Sequence, residues 1–280
     1  MIHIGIIGNG FVGKAMQVFK KSKRIRVTAY DICPDNCIPF GTTFEDILTC
    51  DIIFISVPTP MNKDGSCFTD IVKETITDIR NKKYKGEIVL RSTVPPGTCD
   101  NLKCNFMPEF LTEANAKNDF IENKNWIFGI DEDTTNTAIF ESLIKIAKED
   151  NCIHFDKCTF MKRREAEMTK MMRNIYLACK VGICNELEEW CNHLGVSYNT
   201  VRQVAFSDDR IGLSHTIVPG PDGKRGFGGT CFPKDISSAI SSMKENGVEH
   251  IILNAVNTRN NTVDRKEKDW EHDKGRAVVS

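Results

Sequence analysis

The residues best suited to chemistry lie in one glycine-rich stretch, from Gly226 to Asp235, which carries a thiol, an ammonium and a carboxylate within five positions. Glycine permits backbone conformations that other residues avoid, and Pro233 suits the first turn of the helix predicted to follow. A helix N-terminus and a neighbouring ammonium both favour a thiolate. The stretch therefore predicts that Cys231 is a nucleophile with Lys234 beside it, although a free cysteine is more often a buried core residue.

Two further pairs of polar residues have spacings that suit a binding or catalytic site. Glu109 and Glu113 are four positions apart, and so are Lys170 and Asn174 on a long helical pattern. Residues four apart share one face of a helix, so each pair can point at a common ligand. Both spacings also fit ordinary exposed helix faces, where a lysine keeps its charge in water. On spacing alone, each pair is a hypothesis.

The N-terminal segment predicts a nucleotide site. A β-branched run, Ile2–Ile7, leads into Gly-Asn-Gly-Phe-Val-Gly at 8–13 and then into a helical pattern. That spacing provides a tight turn and a helix N-terminus that can receive a pyrophosphate. A second predicted strand, 26–30, ends at Asp31, where such folds bind the ribose 2′-hydroxyl and exclude a 2′-phosphate. We expect NAD rather than NADP; a doubly wound domain that binds another nucleotide, or none, is the alternative. The expected cofactor contacts here are Gly8, Gly10, Phe11, Val12, Gly13 and Asp31.

Alternating strand and helix patterns fill the rest of the first domain. Strands are predicted at 51–57, 87–91, 126–130 and 152–155, and helices at 44–48, 69–83 and 134–149. Buried parallel strands with helices between them predict an α/β, Rossmann-like doubly wound parallel sheet, whose ligands bind at the carboxyl ends of the strands. The proline-containing loops after two of these strands, 58–60 and 92–97, should therefore face one crevice.

A long proline-free helical pattern, from about Thr159 to His193, predicts a mainly α-helical second domain. Its apolar stripe indicates either core or a subunit interface. The stripe consists of Met161, Met168, Met172, Ile175, Cys179, Leu187, Trp190 and Leu194. Further helices are predicted at 200–206, 236–246 and 248–257. The predicted domains are 1–157, 158–257 and a charged C-terminal tail, 258–280, with little to bury.

The composition excludes several function classes. The 280 residues carry a formal net charge of -1, which gives no general reason to bind nucleic acid or an anionic membrane. No apolar run is long enough to cross a bilayer, and no signal peptide is expected, so we expect a cytoplasmic protein. Twelve scattered cysteines without metal-ligand spacing predict reduced thiols and no metal site.

Taken in order, these motifs resemble those of the nucleotide-sugar dehydrogenases, the UDP-glucose/GDP-mannose dehydrogenase family. The most specific is the G-G-x-C-x-P-K-D signature at 228–235. The others lie at 8–13, 57–60, 92–97, 108–113, Glu167 with Lys170 and Asn174, Asn185-Glu186 and 210–212, so the resemblance covers nearly the whole chain.

The resemblance implies an NAD-dependent, four-electron oxidation of a sugar C6 alcohol to a carboxylate through a thioester on Cys231, with UDP-glucose as the expected substrate. Asp235 would help to remove the alcohol proton, while Lys170 and Asn174 would stabilise charge on the oxygen. A water activated by Glu109 would hydrolyse the thioester.

The resemblance also implies roles for other residues. Thr93 would help to hold the hydrolytic water. Arg210 would contact the substrate, and in these enzymes the corresponding arginine can reach the substrate of the other subunit of the dimer. The implied cofactor contacts are Thr59, Pro60, Thr93, Glu113 and Lys234. The implied substrate contacts are Glu109, Phe110, Leu111, Glu113, Lys170, Asn174, Arg210, Phe227, Gly228 and Gly229.

Two features depart from the family pattern. The interval from Thr93 to Glu109 is short, and only 45 residues follow Asp235, where family members continue into a UDP-binding domain of on the order of 100 residues. We therefore expect a short form, a homodimer through the long helix. The C-terminal cations could meet the diphosphate, or they could be a solvated charge run. The alternatives for the whole chain are a two-electron β-hydroxyacid-type dehydrogenase, which needs no thiol, and an inactive NAD-binding module.

Overall fold

The computed structural model describes residues 1–131, 133 and 135–280. They form two compact units, residues 1–59 with 69–170, and residues 60–68 with 171–280. The predicted boundary near residue 157 lies ahead of the long helix, whereas the observed division falls inside it. The first residues of this helix belong to the first unit because Ala166, close to the helix start, is buried in the core of that unit.

The first unit is built on a seven-stranded sheet in the order β2-β1-β3-β4-β5-β6-β7. The strands are β1 Ile2–Ile7, β2 Ile25–Tyr30, β3 Ile52–Ile55, β4 Glu87–Leu90, β5 Asn105–Phe106, β6 Trp126–Ile130 and β7 Cys158–Lys162. Neighbouring strands pair in parallel except β5 with β6, which are antiparallel. The predicted Rossmann-like α/β class is confirmed.

Helices cover both faces of this sheet, so its central strands are apolar on both sides. In β3, Ile52 and Phe54 enter one core cluster, and Ile53 and Ile55 enter the other, as the two-residue period of a strand requires. The helices of the unit are α1 Phe11–Ala15, α2 Phe44–Ile47, α3 Asp70–Asn81, α4 Thr98–Leu102, α5 Ala116–Ile121 and α6 Thr137–Glu149, and 3₁₀ turns add Met16–Lys21, Pro34–Asn36 and Glu113–Asn115. Position 134, the predicted start of α6, lies outside the described residues.

Two predictions about the end of this unit are wrong. Residues 152–155 form no strand: Cys152 and Ile153 are buried in the core, but the Cys152 N–H bonds back to the end of α6, at 2.7 Å from the Ala147 carbonyl. The last strand is β7, which pairs with β6 from Trp126 onward. The long helix, α7 Arg163–His193, therefore begins four residues later than predicted.

The second unit contains most of α7 and three further helices, α8 Tyr198–Ala205, α9 Phe232–Glu245 and α10 Ile251–Arg259. Residues 260–280, which we call the C-terminal segment, continue through a π-helical turn, Asn260–Asp264, and a 3₁₀ turn, Asp269–His272.

The expectation that this end of the chain buries little is wrong. Trp270 and Ala277 are buried, and the Arg265 side chain is only 3% exposed. Near the end of the segment, the Met61 N–H donates to the Ala277 carbonyl at 2.8 Å, and the Val279 N–H donates to the Met61 carbonyl at 3.0 Å. The density of charged residues predicted a solvent-exposed segment. The segment packs because Arg265 is paired with Asp222 and Asp269 and because the Trp270 side chain is buried.

All twelve cysteines lie in the described part of the chain and are free thiols. Within residues 1–131, 133 and 135–280, no helix has the length and apolar character to cross a bilayer. The same residues contain no cluster of three or more His, Cys, Asp or Glu arranged to hold a metal ion.

Candidate active site

Cys231 occupies the N-cap of α9, with Pro233 in the first helical turn. The Asp235 N–H donates to the Cys231 carbonyl at 2.9 Å, which closes that turn. The half-buried thiol therefore lies at the positive end of a fourteen-residue helix dipole, where a thiolate is favoured. This is the location that the sequence predicts for it.

Asp235, one turn into the same helix, is 1% exposed and held on both carboxylate oxygens. Asn174 Nδ2 donates to Oδ2 at 2.5 Å, and Lys234 Nζ donates to Oδ1 at 2.7 Å. Burial disfavours the charge on Lys234, but the nearby Asp235 carboxylate and the Cys231 and Cys67 sulfurs outweigh it, so the pKa of Lys234 is raised. Lys234 and Asn174, predicted to bind cofactor and substrate, here orient a carboxylate.

Glu109 forms a buried ion pair with Lys170, in which Oε1 and Nζ are 2.7 Å apart and the side chains are 6% and 4% exposed. Burial raises the pKa of Glu109, but the charge and hydrogen bond of Lys170, the Leu111 N–H and the Arg91 cation together lower it below the usual range. Lys170 Nζ also lies 5.7 Å from the ring centroid of Phe110. Glu109 is therefore an ionised carboxylate in a loop after β5, not part of an exposed helix turn.

Arg91, which no motif singled out as functional, is a second buried cation of this unit. It directly follows β4 and is 2% exposed, and its guanidinium carbon lies 5.4 Å from the ring centroid of Phe120. Its Nε and Nη1 have no hydrogen-bond partner among the described residues, and burial lowers its pKa to about 10. The sequence signal was an arginine directly after the apolar residues Ile88, Val89 and Leu90 of this strand.

Glu167, one turn before Lys170 on α7, holds the loop that carries Thr93. Its carboxylate accepts the N–H groups of Gly97 at 2.5 Å and Cys99 at 2.7 Å, which are free donors at the start of α4. Burial raises the pKa of Glu167, although these two hydrogen bonds act in the opposite direction. The buried Thr93 lies in that loop, and its carbonyl accepts Thr59 Oγ1 at 2.8 Å.

The glycine loop after β1 has the geometry that a dinucleotide needs. Gly8 has a positive φ of 85°, and a Cβ on Gly13 would lie 2.3 Å from the Gly8 carbonyl oxygen, so neither tolerates a side chain. A Cβ on Gly10 would meet no atom within 4 Å, which leaves its backbone open to a pyrophosphate. Asp31 accepts the Asn9 N–H at 2.7 Å and keeps free lone pairs for a ribose hydroxyl.

The other predicted site residues have varied positions. Arg210 is 88% exposed and paired with Asp208 at 2.6 Å, while Phe227 is a core residue at 4% exposure. Phe11 and Leu111 pack against the sheet core, Val12 is half-buried in α1, and Pro60 is buried. Glu113 and Gly229 are exposed, and Gly228 is half-buried. Their roles remain predictions.

Two domain models of one family match this chain. The UDP-glucose/GDP-mannose dehydrogenase family NAD binding domain matches residues 35–148, and the central domain of the same family matches residues 164–262. Together they cover well over half of the sequence. The chain belongs to the UDP-glucose/GDP-mannose dehydrogenase family. The cofactor of this family member is NAD, in agreement with the geometry of the glycine loop.

Relatives of this chain include a putative UDP-glucose 6-dehydrogenase, YtcA, of Bacillus subtilis, 31% identical over 76% of this chain and 51% of the relative. The UDP-glucose 6-dehydrogenase of Pseudomonas aeruginosa is also 31% identical, over 77% and 49%. The chain spans about half the length of these curated relatives.

A solved UDP-glucose dehydrogenase from Pyrobaculum islandicum is similar in structure, with a TM-score of 0.79 and 27% identity over 93% of this chain and 68% of that one. A 3-hydroxyisobutyrate dehydrogenase from Mycobacterium tuberculosis has a TM-score of 0.69 over 92% of both chains. At 17% identity, the second likeness shows the fold alone.

Proposed function

We propose that this dehydrogenase oxidises the C6 alcohol of a nucleotide sugar, UDP-glucose, to the carboxylate, by four electrons and through a thioester on Cys231. The observation that carries the proposal is the position of Cys231 at the N-cap of α9 with a doubly anchored carboxylate, Asp235, one turn into the helix. A two-electron alcohol oxidation needs a base but no nucleophile. A thiol beside a base suits an enzyme that must also capture the aldehyde.

In the first oxidation, Asp235 accepts the proton of the C6 hydroxyl, directly or through one water. Asn174 and Lys234 fix this carboxylate, so it loses little orientational freedom when it acts. NAD, held by the glycine loop and Asp31, supplies the hydride acceptor for each of the two oxidations. The Lys170 ammonium stabilises negative charge on the sugar oxygen.

In the second oxidation, the Cys231 thiolate adds to the aldehyde carbon, and the resulting thiohemiacetal loses a hydride and becomes a thioester. Glu109 then takes a proton from water, whose oxygen attacks the thioester carbonyl. The products are the sugar carboxylate and the regenerated thiol. The lowered pKa of Glu109, caused mainly by Lys170 acting against burial, keeps this base ionised at neutral pH.

A second copy of the chain is the partner that we propose for α7. Five large apolar side chains of this helix are each more than 40% exposed: Met168, Met172, Tyr176, Ile183 and Trp190. At about 100° per residue they lie within about 40° of Met172 around the axis, so they form one face. A Tyr176→Arg substitution should convert a homodimer to monomer in light scattering after size exclusion, while Lys244→Glu, on exposed surface, should not.

The test of the function is the NADH yield per sugar. With limiting UDP-glucose and excess NAD, absorbance at 340 nm should report two NADH per sugar, and other UDP- and GDP-sugars should react more slowly. Cys231→Ala should abolish acid formation. One NADH per sugar with full activity in Cys231→Ala would show a two-electron hydroxyacid-type enzyme. Tight NAD binding with no turnover on any nucleotide sugar would show an inactive module.

A further inference from the structure

The glycine-rich bend before α9, residues 225–229, is held by side chains from distant parts of the second unit. Asn260 Oδ1 accepts the Phe227 N–H at 2.8 Å, and Asn260 Nδ2 donates to the Phe227 carbonyl at 3.0 Å. On the other side, Asn185 Oδ1 accepts the Gly226 N–H at 3.0 Å. The two asparagines are each 1% exposed, so these bonds replace the solvation of buried backbone groups.

Arg265 completes the support. Its Nη1 donates to the Arg225 carbonyl at 3.2 Å, and its Nη2 lies 2.6 Å from an Asp222 oxygen and 2.7 Å from an Asp269 oxygen. Two carboxylates thus neutralise this cation inside the unit. Arg265 is therefore committed to the bend and is not available to a substrate diphosphate.

The same contacts explain two of the glycines in the stretch from Gly226 to Asp235. A Cβ on Gly226 would lie 2.4 Å from Asn260 Oδ1, and a Cβ on Gly228 would lie 2.5 Å from Arg265 Nη2. Gly229 differs, since a Cβ there would meet nothing within 4 Å. Gly226 and Gly228 make room for Asn260 and Arg265, and Gly229 alone of the three leaves open space beside its backbone.

We propose that Asn260 and Arg265 are positioning residues for Cys231: they fix the bend so that the thiol is held at the N-terminus of α9. Cys231 follows the bend by two residues, so a shift of the Phe227 backbone moves the thiol off the helix axis. A misplacement of about 1 Å can cost about a hundredfold in rate. The inference rests on the proposed function in taking Cys231 as the nucleophile.

The first test compares Asn260→Leu with Asn261→Leu. Asn261 is a matched control because it is the next asparagine in the chain and its Nδ2 donates to the Asn257 side chain, at 3.4 Å, and not to the bend. In Asn260→Leu we expect kcat with UDP-glucose to fall by about tenfold or more, with an unchanged Kd for NAD. Asn261→Leu should stay within about threefold of wild type. Equal losses in both variants, or full activity in Asn260→Leu, would overturn the proposal.

The second test needs no substrate and so separates this inference from the proposed function. Iodoacetamide labelling of the folded protein, read by mass spectrometry, gives the rate at Cys231 relative to the exposed Cys33. In Asn260→Leu, the ratio at neutral pH should fall about threefold, because a thiol displaced from the helix N-terminus is less often a thiolate. An unchanged ratio would refute the positioning role even if the wild type turned over UDP-glucose.

Conservative variants guard against simple unfolding. Asn260→Asp keeps the acceptor for the Phe227 N–H but places an oxygen against the Phe227 carbonyl, so it should recover part of the labelling ratio at a melting temperature below wild type. Arg265→Lys should lose more activity than Lys266→Met, since a lysine cannot reach both carboxylates and the Arg225 carbonyl in one plane. No recovery in Asn260→Asp, or an active Arg265→Lys beside an impaired Lys266→Met, would contradict the assignment.

Discussion

Among residues 1–131, 133 and 135–280, two lysine–carboxylate ion pairs are largely buried, and they have equal lengths but different surroundings. Glu109 with Lys170 and Asp235 with Lys234 both have an N–O distance of 2.7 Å. Glu109 has a further buried cation nearby, Arg91. Among the described residues, no side-chain amide donates a hydrogen bond to the Glu109 carboxylate. Asp235 is instead oriented by an amide, since Asn174 donates to its second oxygen.

In the mechanism that we propose, this difference suits the two carboxylates to different steps. Two cations hold Glu109 ionised, which suits a base that must be charged whenever a water approaches. Two hydrogen-bonding partners hold Asp235 in one orientation, which suits removal of a single hydroxyl proton.

Asp235→Asn should give the largest loss. The substitution removes the base of the first oxidation and leaves Lys234 buried without its carboxylate, so we expect kcat to fall by about a thousandfold. Stopped-flow absorbance at 340 nm should show no burst of NADH. Glu245→Gln, on the exposed last turn of α9, is the control. A normal burst in Asp235→Asn would assign the first proton transfer to another group.

Glu109→Gln should act later and less strongly, with steady-state turnover reduced about a hundredfold. A burst of NADH should persist, because both hydride transfers precede hydrolysis. The peptide containing Cys231 should then carry the mass of a uronyl group, removable by hydroxylamine. Glu141→Gln, at an exposed position of α6, is the control. Loss of the burst together with turnover, or added mass on a different cysteine, would place Glu109 in an earlier step.

The pH dependence of hydrolysis should follow the charges around Glu109. Its depressed pKa means that ionised Glu109 stabilises the fold above the usual glutamate pKa of about 4.3, and that this stabilisation is lost as pH falls through the lower folded value. Lys170→Met should move the acid limb of hydrolysis upward by about one pH unit.

Arg91→Met should move this limb in the same direction by less, because Lys170 lowers the pKa of Glu109 more than Arg91 does. The measurement is the rate of thioester loss against pH, with Lys244→Met as control. If the acid limb stays at the same pH in both variants, Lys170 and Arg91 do not set the pKa of the group that activates the water.

The smallest effect concerns the cofactor, away from both pairs. Asp31→Ala should reduce the preference for NAD over NADP by about tenfold, the value of one hydrogen bond to a charged group. The ratio of kcat/KM for the two cofactors measures it. A wild-type enzyme that uses both cofactors equally would exclude Asp31 as the selective residue.

The sequence determined much of this molecule wherever the information is local. The glycine loop, Asp31 and the apolar strands follow from steric limits and two-residue alternation, which act between near neighbours. The place of Cys231 at a helix start follows from the adjacent Phe-Pro-Lys-Asp. The pairing of Lys234 with Asp235 is likewise a contact between neighbours.

Only the tertiary structure decided the contacts between residues far apart in sequence. Glu109 meets Lys170 across 61 positions, Glu167 reaches Gly97, and Asn260 holds Phe227 from 33 positions away. No periodicity signals such pairs, and charge density alone misassigned the C-terminal segment as solvated. Which charge is buried and which is paired depends on the neighbours that folding supplies, because desolvation and hydrogen bonding act through space and not along the chain.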